Sequence, residues 1–167
     1  MDIIKCATLN VNGLTSDPDK RSNIFQLFIK YKLDIIFVTE THATVTNITT
    51  LQKQWVDMAK GKAFFSPAIS SRSGGVAILF GPKFDSVSPQ NIQNTITGRT
   101  LSMEIKNKTN KLICIYAPNA PADRKAFFDK INVEESSPLP IIMALKSFHF
   151  TQTNHSSPNY QFFLDTR

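Results

Sequence analysis

Apolar residues along this chain cluster in short runs that end in glycine, proline, asparagine or serine. Residues 3–11 and 33–39 are two such runs, and the second is dense enough to be buried on both of its faces. Further runs follow in the middle, where they suggest a meander, and near the end of the chain. We therefore predict strands at residues 3–11, 33–39, 63–65, 75–80, 101–105, 112–116 and 139–143.

Three other stretches carry apolar residues at intervals of three and four, which is typical of one face of a helix. Asp17 and Pro18 precede the first stretch and suit the cap and the first position of a helix. We interpret the stripes as core packing, with no cofactor implied. They comprise Ile24, Leu27, Phe28 and Tyr31; Ile48, Leu51, Trp55 and Met58; and Phe127, Phe128 and Ile131.

Strands that lead into helices at both ends, around a central meander, predict an α/β sheet domain with more than one layer. A length of 167 residues suits one domain with a sizeable core. We assign residues 1–143 to this domain. Residues 144–167 are rich in Thr, Asn, Ser, Gln and Phe without a clear period, and they predict an irregular tail.

Composition and charge restrict the classes of protein to which this chain can belong and the partners that suit it. Hydrophobic residues make up 41% of the chain, which excludes a disordered or fibrous protein. The net charge of +6 favours polyanionic partners such as nucleic acid, although the charges are scattered rather than clustered. No membrane-spanning run or secretory leader is apparent, and Cys6 and Cys114 suit free thiols. We expect an intracellular protein of the nucleus or cytoplasm; the sequence does not indicate its oligomeric state.

Polar residues at strand ends are the candidates for chemistry. Asn10 and Glu40 end two predicted strands, where the ligands of an α/β sheet gather, and their oxygen atoms suit Mg²⁺. A plain turn at residues 10–13 and a cap at Glu40 explain the same spacing, and spacing by itself favours that simpler interpretation. Tyr116 and Asn119 follow a third strand and suit contacts to a phosphate or a nucleic-acid backbone, but a tyrosine there is also common at a core edge.

Four sequence blocks in order carry a more specific signal. Together they resemble the endonuclease domain of non-LTR (LINE-type) retrotransposons, within the endonuclease/exonuclease/phosphatase superfamily. The Glu-Thr-His and Tyr-Ala-Pro-Asn forms favour this branch over the apurinic/apyrimidinic endonucleases. The blocks are residues 8–14 (TLNVNGL), 34–42 (DIIFVTETH), 73–79 (SGGVAIL) and 115–121 (IYAPNAP).

The resemblance implies a DNase-I-like fold, in which two sheets form an α/β sandwich flanked by helices, here truncated on the C-terminal side. It also implies hydrolysis of a DNA phosphodiester with Mg²⁺ or Mn²⁺ and no small-molecule cofactor. Glu40 would be the metal ligand, Asn10 would help to set the metal and its waters, and Tyr116 would contact the scissile phosphate. Nucleic-acid contacts are expected at Asn12, Asn119, Arg72 and Arg99, the two arginines being the weaker suggestions.

The resemblance stops after residue 143. The family continues with a Gly-Asp-x-Asn motif and later a Ser-Asp-His segment, whereas this chain continues with residues 144–148 (ALKSF) and has no matching carboxylate. His149 and His155 lie in the unmatched tail without an adjoining Asp, so we interpret them as solvated. Groups that act as one catalytic unit fail together, so we expect little or no nuclease activity.

Two other functions remain open. The chain could serve as a nucleic-acid-binding module without catalysis, which the charge of +6 and the missing motifs favour. It could instead act on a phosphoinositide or another phosphomonoester, because a fold does not fix a substrate. The Tyr-Ala-Pro-Asn form argues against the second alternative.

Overall fold

A computed structural model describes residues 4–84, 88–105, 110–131, 141–146 and 160–164. Within these ranges three α-helices, one short 3-10 helix and nine strands follow one another. In chain order they are β1 (Cys6–Asn10), α1 (Pro18–Lys30), β2 (Ile35–Thr39), α2 (Ile48–Ala59), β3 (Lys62–Ser66), β4 (Val76–Phe80), the 3-10 helix (Pro82–Phe84), β5 (Pro89–Gln93), β6 (Thr100–Ile105), β7 (Asn110–Tyr116), α3 (Pro121–Lys130), β8 (Ile141–Lys146) and β9 (Tyr160–Leu164).

The strands form two sheets. The first has the order β1-β2-β4-β3, with β1 and β2 parallel and β4 antiparallel to both of its neighbours. The second has the order β5-β6-β7-β8-β9, with β7, β8 and β9 parallel. The predicted meander is thus divided: β3 and β4 belong to one sheet and β5 to β7 to the other.

The core lies in layers. Alternate residues of β2, β4, β6 and β7 pack between the two sheets, among them Phe37, Ile78, Met103 and Leu112. Helices α1 and α2 cover the outer face of the first sheet, where the indole Nε1–H of Trp55 donates to the backbone oxygen of Phe80 at 3.0 Å. Helix α3 covers the outer face of the second sheet. The predicted α/β two-sheet sandwich flanked by helices is confirmed.

The start of α1 agrees with its predicted cap. The carboxylate of Asp17 accepts from the backbone N–H groups of Asp19 and Lys20, both at 3.0 Å, and Pro18 occupies the first turn. These bonds satisfy donors that a helix start otherwise leaves unpaired. None of the helices in the described ranges is long and apolar enough to cross a lipid bilayer.

Two expectations differ from the structure. Strand β5 was missed because it is polar and lies at the edge of its sheet, so its sequence lacks the alternation of a half-buried strand. The expectation of an irregular tail is wrong at residues 144–146, which continue β8, and at residues 160–164, which form β9. Parallel pairing of β9 with β8 fixes that strand, and such pairing between distant segments leaves no local pattern. Cys6 is half-buried, because β1 is an edge strand among the described ones.

Candidate active site

The three residues expected to act together lie at one edge of the sandwich, which we call the carboxyl edge. Asn10 is the last residue of β1 and pairs with Thr39, the last residue of β2, so Glu40 follows directly beside Asn10. Tyr116 is the last residue of β7 in the facing sheet. Ligands of α/β sheets gather where strands end in this way. The sequence-predicted set of Asn10, Glu40 and Tyr116 therefore lies at the same edge.

A turn of unusual backbone conformation presents Glu40. Glu40 has φ +55° and His42 has φ +53°, a region that costs a non-glycine residue about 1 kcal/mol or more. Hydrogen bonds on two sides hold the turn. The carbonyl of Glu40 accepts from Gly13 N–H at 2.7 Å, and the N–H of His42 donates to the carbonyl of Gly74 at 3.0 Å. The surrounding backbone thus fixes the direction of the Glu40 side chain.

The phenol of Tyr116 donates a hydrogen bond to the Oε1 atom of Glu40 across the two sheets. Tyr116 is 6% exposed, and the carboxylate side chain of Glu40 is 20% exposed. Burial, and then the bond to Glu40, raise the pKa of Tyr116 to about 12, against the opposing effects of Arg99 and Asn119. Tyr116 is therefore a protonated donor at neutral pH, and its phenol oxygen lies against the Glu40 carboxylate.

Arg99 belongs to this site. Its guanidinium carbon lies 5.1 Å from the centre of the Tyr116 ring, and its Nη1–H donates to the backbone oxygen of Tyr116 at 3.3 Å. The N–H of Tyr116 in turn donates to the carbonyl of Arg99 at 2.8 Å. A half-buried cation is thereby held against the phenol. Arg72 differs, because it is exposed on the loop between β3 and β4, where its N–H donates to Ser70 Oγ at 3.4 Å.

The expected asparagines flank the site. Asn10 Oδ1 accepts from the N–H of Asn12 at 2.9 Å, which orients the Asn10 amide at the strand end. Asn12 is exposed, as is Asn119, whose side chain hydrogen-bonds with Tyr116. The guanidinium of Arg124 donates to the carbonyls of Pro118 and Asn119 at 3.1 and 3.0 Å and so fixes the loop that carries Asn119.

His42 is a site residue to which the sequence assigned no role. Its Nε2 atom lies 3.4 Å from Glu40 Oε2, and its side chain is 13% exposed. Gly13 packs against the ring so closely that a Cβ atom there would stand 3.0 Å from Nδ1. Two side chains thus contact the Glu40 carboxylate, one on each oxygen. The available signal was the imidazole placed two residues after a candidate metal ligand.

The donor atoms fit a magnesium ion that keeps most of its waters. One carboxylate, on Glu40, and one amide oxygen, on Asn10, are hard ligands of the kind that Mg²⁺ accepts together with water and substrate phosphate. The partial exposure of Glu40 leaves room for those waters. Among the residues that the structure describes, no group of three or more His, Cys, Asp or Glu side chains forms a metal site.

Strand β8 reaches the carboxyl edge beside β7. In this parallel pair Leu145 stands opposite Ile115 and Lys146 opposite Tyr116. The resemblance places a Gly-Asp-x-Asn motif directly after residue 143, and this chain has Ala144, Leu145 and Lys146 there. The strand that should bring a carboxylate to the site therefore arrives at the edge with no acidic residue at its end.

Comparisons with known proteins indicate the family to which this chain is related. The sequence pattern of the Endonuclease/Exonuclease/phosphatase family matches residues 7–142. A curated relative, the uncharacterized 149 kDa protein of transposon TX1 from Xenopus laevis, is 29% identical over 133 residues, which is 77% of this chain. This chain spans 10% of the length of that relative.

Solved structures share the fold. An AP endonuclease from Archaeoglobus fulgidus superposes with a TM-score of 0.57 at 18% identity, covering 77% of this chain and 47% of its own. A 3′ phosphatase from Neisseria, bound to a product DNA hairpin, superposes with a TM-score of 0.62 at 15% identity, covering 84% of this chain and 56% of its own. This chain thus spans about half the length of these structures, and the likeness confirms a DNase-I-like fold.

Proposed function

This chain belongs to the endonuclease/exonuclease/phosphatase family, and we propose that it derives from a magnesium-dependent DNA endonuclease of the retrotransposon type and is catalytically impaired by itself. The observation that carries the proposal is the hydrogen bond from Tyr116 to Glu40, which joins the two candidate groups across the sandwich beside Asn10. The retrotransposon origin is supported by the transposon relative.

Each residue has a defined part in this proposal. Glu40 and Asn10 would hold Mg²⁺ or Mn²⁺, and Arg99 would add positive charge beside the phosphate. A bound divalent ion neutralises phosphate charge and favours attack by water. Tyr116 would move its hydrogen bond from Glu40 to a phosphate oxygen when DNA occupies the site. Asn12, Asn119 and Arg72 would contact the DNA backbone, because most protein–DNA hydrogen bonds go to phosphate and sugar.

We infer that catalysis is impaired from the residues at the end of β8. Hydrolysis needs a positioned group to orient or deprotonate the attacking water, in addition to a metal. At the strand end that should supply this group the chain has Leu145 and Lys146. His149 and His155, which the sequence suggested are solvated, lie outside the described residues, and we propose that they do not replace the missing base. Loss of one member of such a unit costs several powers of ten in rate.

Two candidate functions compete. A nucleic-acid-binding role without catalysis is supported by the net charge of +6 together with the incomplete set of catalytic residues. Phosphomonoester hydrolysis, on DNA ends or on a phosphoinositide, is supported by the solved relative that is a 3′ phosphatase.

Cys6 and Cys114 are both free thiols, which suits the proposed nuclear or cytoplasmic location.

The test is a plasmid-nicking assay in Mg²⁺ that compares the parent chain with Glu40→Ala. Asp57→Ala is a matched control, because it removes one exposed carboxylate from α2. Circular dichroism verifies that each protein is folded, and DNA binding is measured at several salt concentrations. We expect no nicking above background by any of the three proteins and salt-dependent binding by all of them.

Other outcomes separate the candidates. Nicking by the parent and by Asp57→Ala that disappears in Glu40→Ala would support the endonuclease and contradict its impairment. Release of inorganic phosphate from a 3′-phosphorylated hairpin would favour the phosphatase. Absence of DNA binding at low salt, with the chain folded, would overturn the DNA-directed proposals.

A further inference from the structure

A groove runs beside the candidate active site, between α3, the loop at residues 94–99 and the loop between β3 and β4. Its volume of about 590 Å³ lies within the range of about 300 to 1,000 Å³ that is usual for sites binding small molecules or their parts. Among the described residues its walls include Ile69, Ile96, Arg99, Pro118, Phe127 and Lys130.

The groove is continuous with the site through one side chain. Arg99 lines the groove, and its guanidinium also lies over the ring of Tyr116 at 5.1 Å. Pro118 lines the groove as well, and its carbonyl is held by Arg124 in the loop that carries Asn119. A DNA strand whose phosphate sits at Tyr116 would therefore lie beside Arg99, which is shared by the site and the groove.

The groove joins apolar walls with positive charge. Ile69 is 87% exposed, so its aliphatic side chain offers apolar surface to a bound molecule. Ile96 and Phe127 supply further apolar surface, and Arg99 and Lys130 outnumber the single acidic residue, Asp123. Thr95 and Thr97 add hydroxyl groups. A nucleotide combines a flat apolar base, polar edges and an adjoining negative charge, and it complements this surface.

We propose that the groove binds the base and sugar of the nucleotide next to the scissile phosphate in the DNA strand held at Tyr116. This inference rests on the proposed function, since it takes DNA as the substrate. Ile69 packs against the base, while Arg99 and Lys130 pair with the flanking phosphates. The chain would thereby favour particular neighbouring bases, which makes the groove an element of specificity separate from the metal site.

The test uses a short DNA duplex with one 2-aminopurine placed in turn at each position around a chosen site. The proteins are the parent chain, Ile69→Ala and Lys130→Ala. Val56→Ala and Lys53→Ala are matched controls, because these two exposed residues lie on α2 on the other face of the sandwich. Binding is measured by fluorescence anisotropy at several salt concentrations.

We expect Ile69→Ala and Lys130→Ala each to weaken binding by about threefold to tenfold and to abolish the 2-aminopurine response at one position. Lys130→Ala should also lower the salt slope by about one counterion, whereas Ile69→Ala should leave the slope unchanged. A parent chain that binds DNA while both groove variants match their controls would overturn the groove and leave the proposed function standing. A parent chain that binds no DNA at low salt would overturn both.

Discussion

The hydroxyl group of Tyr116 donates to the carboxylate of Glu40, although 76 positions separate them in the chain. The bond connects the end of β7 in one sheet to the turn after β2 in the other. It positions the carboxylate, raises the pKa of the phenol, and ties together the two sheets at the carboxyl edge. Three predictions concern this relationship and the residues around Glu40, and a fourth concerns the two cysteine thiols.

The first prediction is an energetic coupling between Tyr116 and Glu40. Tyr116→Phe and Glu40→Ala should each lower the free energy of unfolding, and the double mutant should lose about 1 kcal/mol less than the sum, because a hydrogen bond removed once cannot be lost twice. Urea unfolding of the four proteins measures the coupling. In the control cycle Tyr116→Phe is combined with Glu104→Ala, whose carboxylate bonds to Asn91 instead, and additivity is expected there. A coupling near zero in the first cycle would contradict the bond.

The second prediction concerns Gly75, which supports the Glu40 turn. Gly75 has φ +82°, and a Cβ atom there would stand 2.3 Å from Thr41 Oγ1. Gly75→Ala should therefore lower the free energy of unfolding by about 2 kcal/mol or more, through backbone strain and displacement of the turn. Gly74→Ala is the matched control, since Gly74 has φ +79° but its nearest contact is the carbonyl of Gly98 at 3.3 Å. Its cost should be about 1 kcal/mol; equal losses would exclude the clash with Thr41.

The third prediction concerns His42 as a positioning residue for Glu40. The imidazole Nε2 atom of His42 lies 3.4 Å from Oε2 of Glu40. Without the imidazole, the carboxylate that is proposed to bind the metal would have more freedom to change its orientation. His42→Ala should weaken Mn²⁺ binding by about tenfold, and His42→Gln, which keeps a donor, should recover part of it. Isothermal calorimetry measures the affinity. His149→Ala in the tail is the control; equal affinities of the parent and His42→Ala would show that the contact does not matter for the metal.

The fourth prediction is a loss of stability at alkaline pH. Burial raises the pKa of Cys114 to about 12 from an ordinary value of 9.0, and that of Cys6 to about 11. Above pH 9 the unfolded chain releases these thiol protons while the folded chain keeps them, so the free energy of unfolding should fall as the pH rises from 9 to 11. The fall due to Cys114 should be roughly 2 kcal/mol. Urea unfolding at each pH should give a flatter dependence for Cys114→Ala; identical slopes would contradict the assignment.

The sequence by itself determined most of the local structure and the central candidates. Dense apolar runs predicted β2 and β4, which the core buries completely, because a strand covered on both faces needs apolar residues at every position. The helix cap at Asp17 could be predicted from the sequence, because its carboxylate accepts hydrogen bonds from backbone N–H groups only two and three residues further along the chain. Asn10, Glu40 and Tyr116 became candidates through their positions at strand ends together with the resemblance of four sequence blocks to a known family.

Only the tertiary structure decided how these pieces meet. The contact between Tyr116 and Glu40 depends on how the two sheets face each other. The place of Arg99 over the phenol depends on the pairing of β6 with β7, and the contact of His42 with Glu40 depends on the fold of the turn after β2. Strand β9 was not predicted for a related reason, because residues 160–164 form a strand through pairing with β8. The local sequence determines which secondary structure a segment prefers and which of its faces is buried. Contacts between distant segments arise from the packing of the whole sandwich.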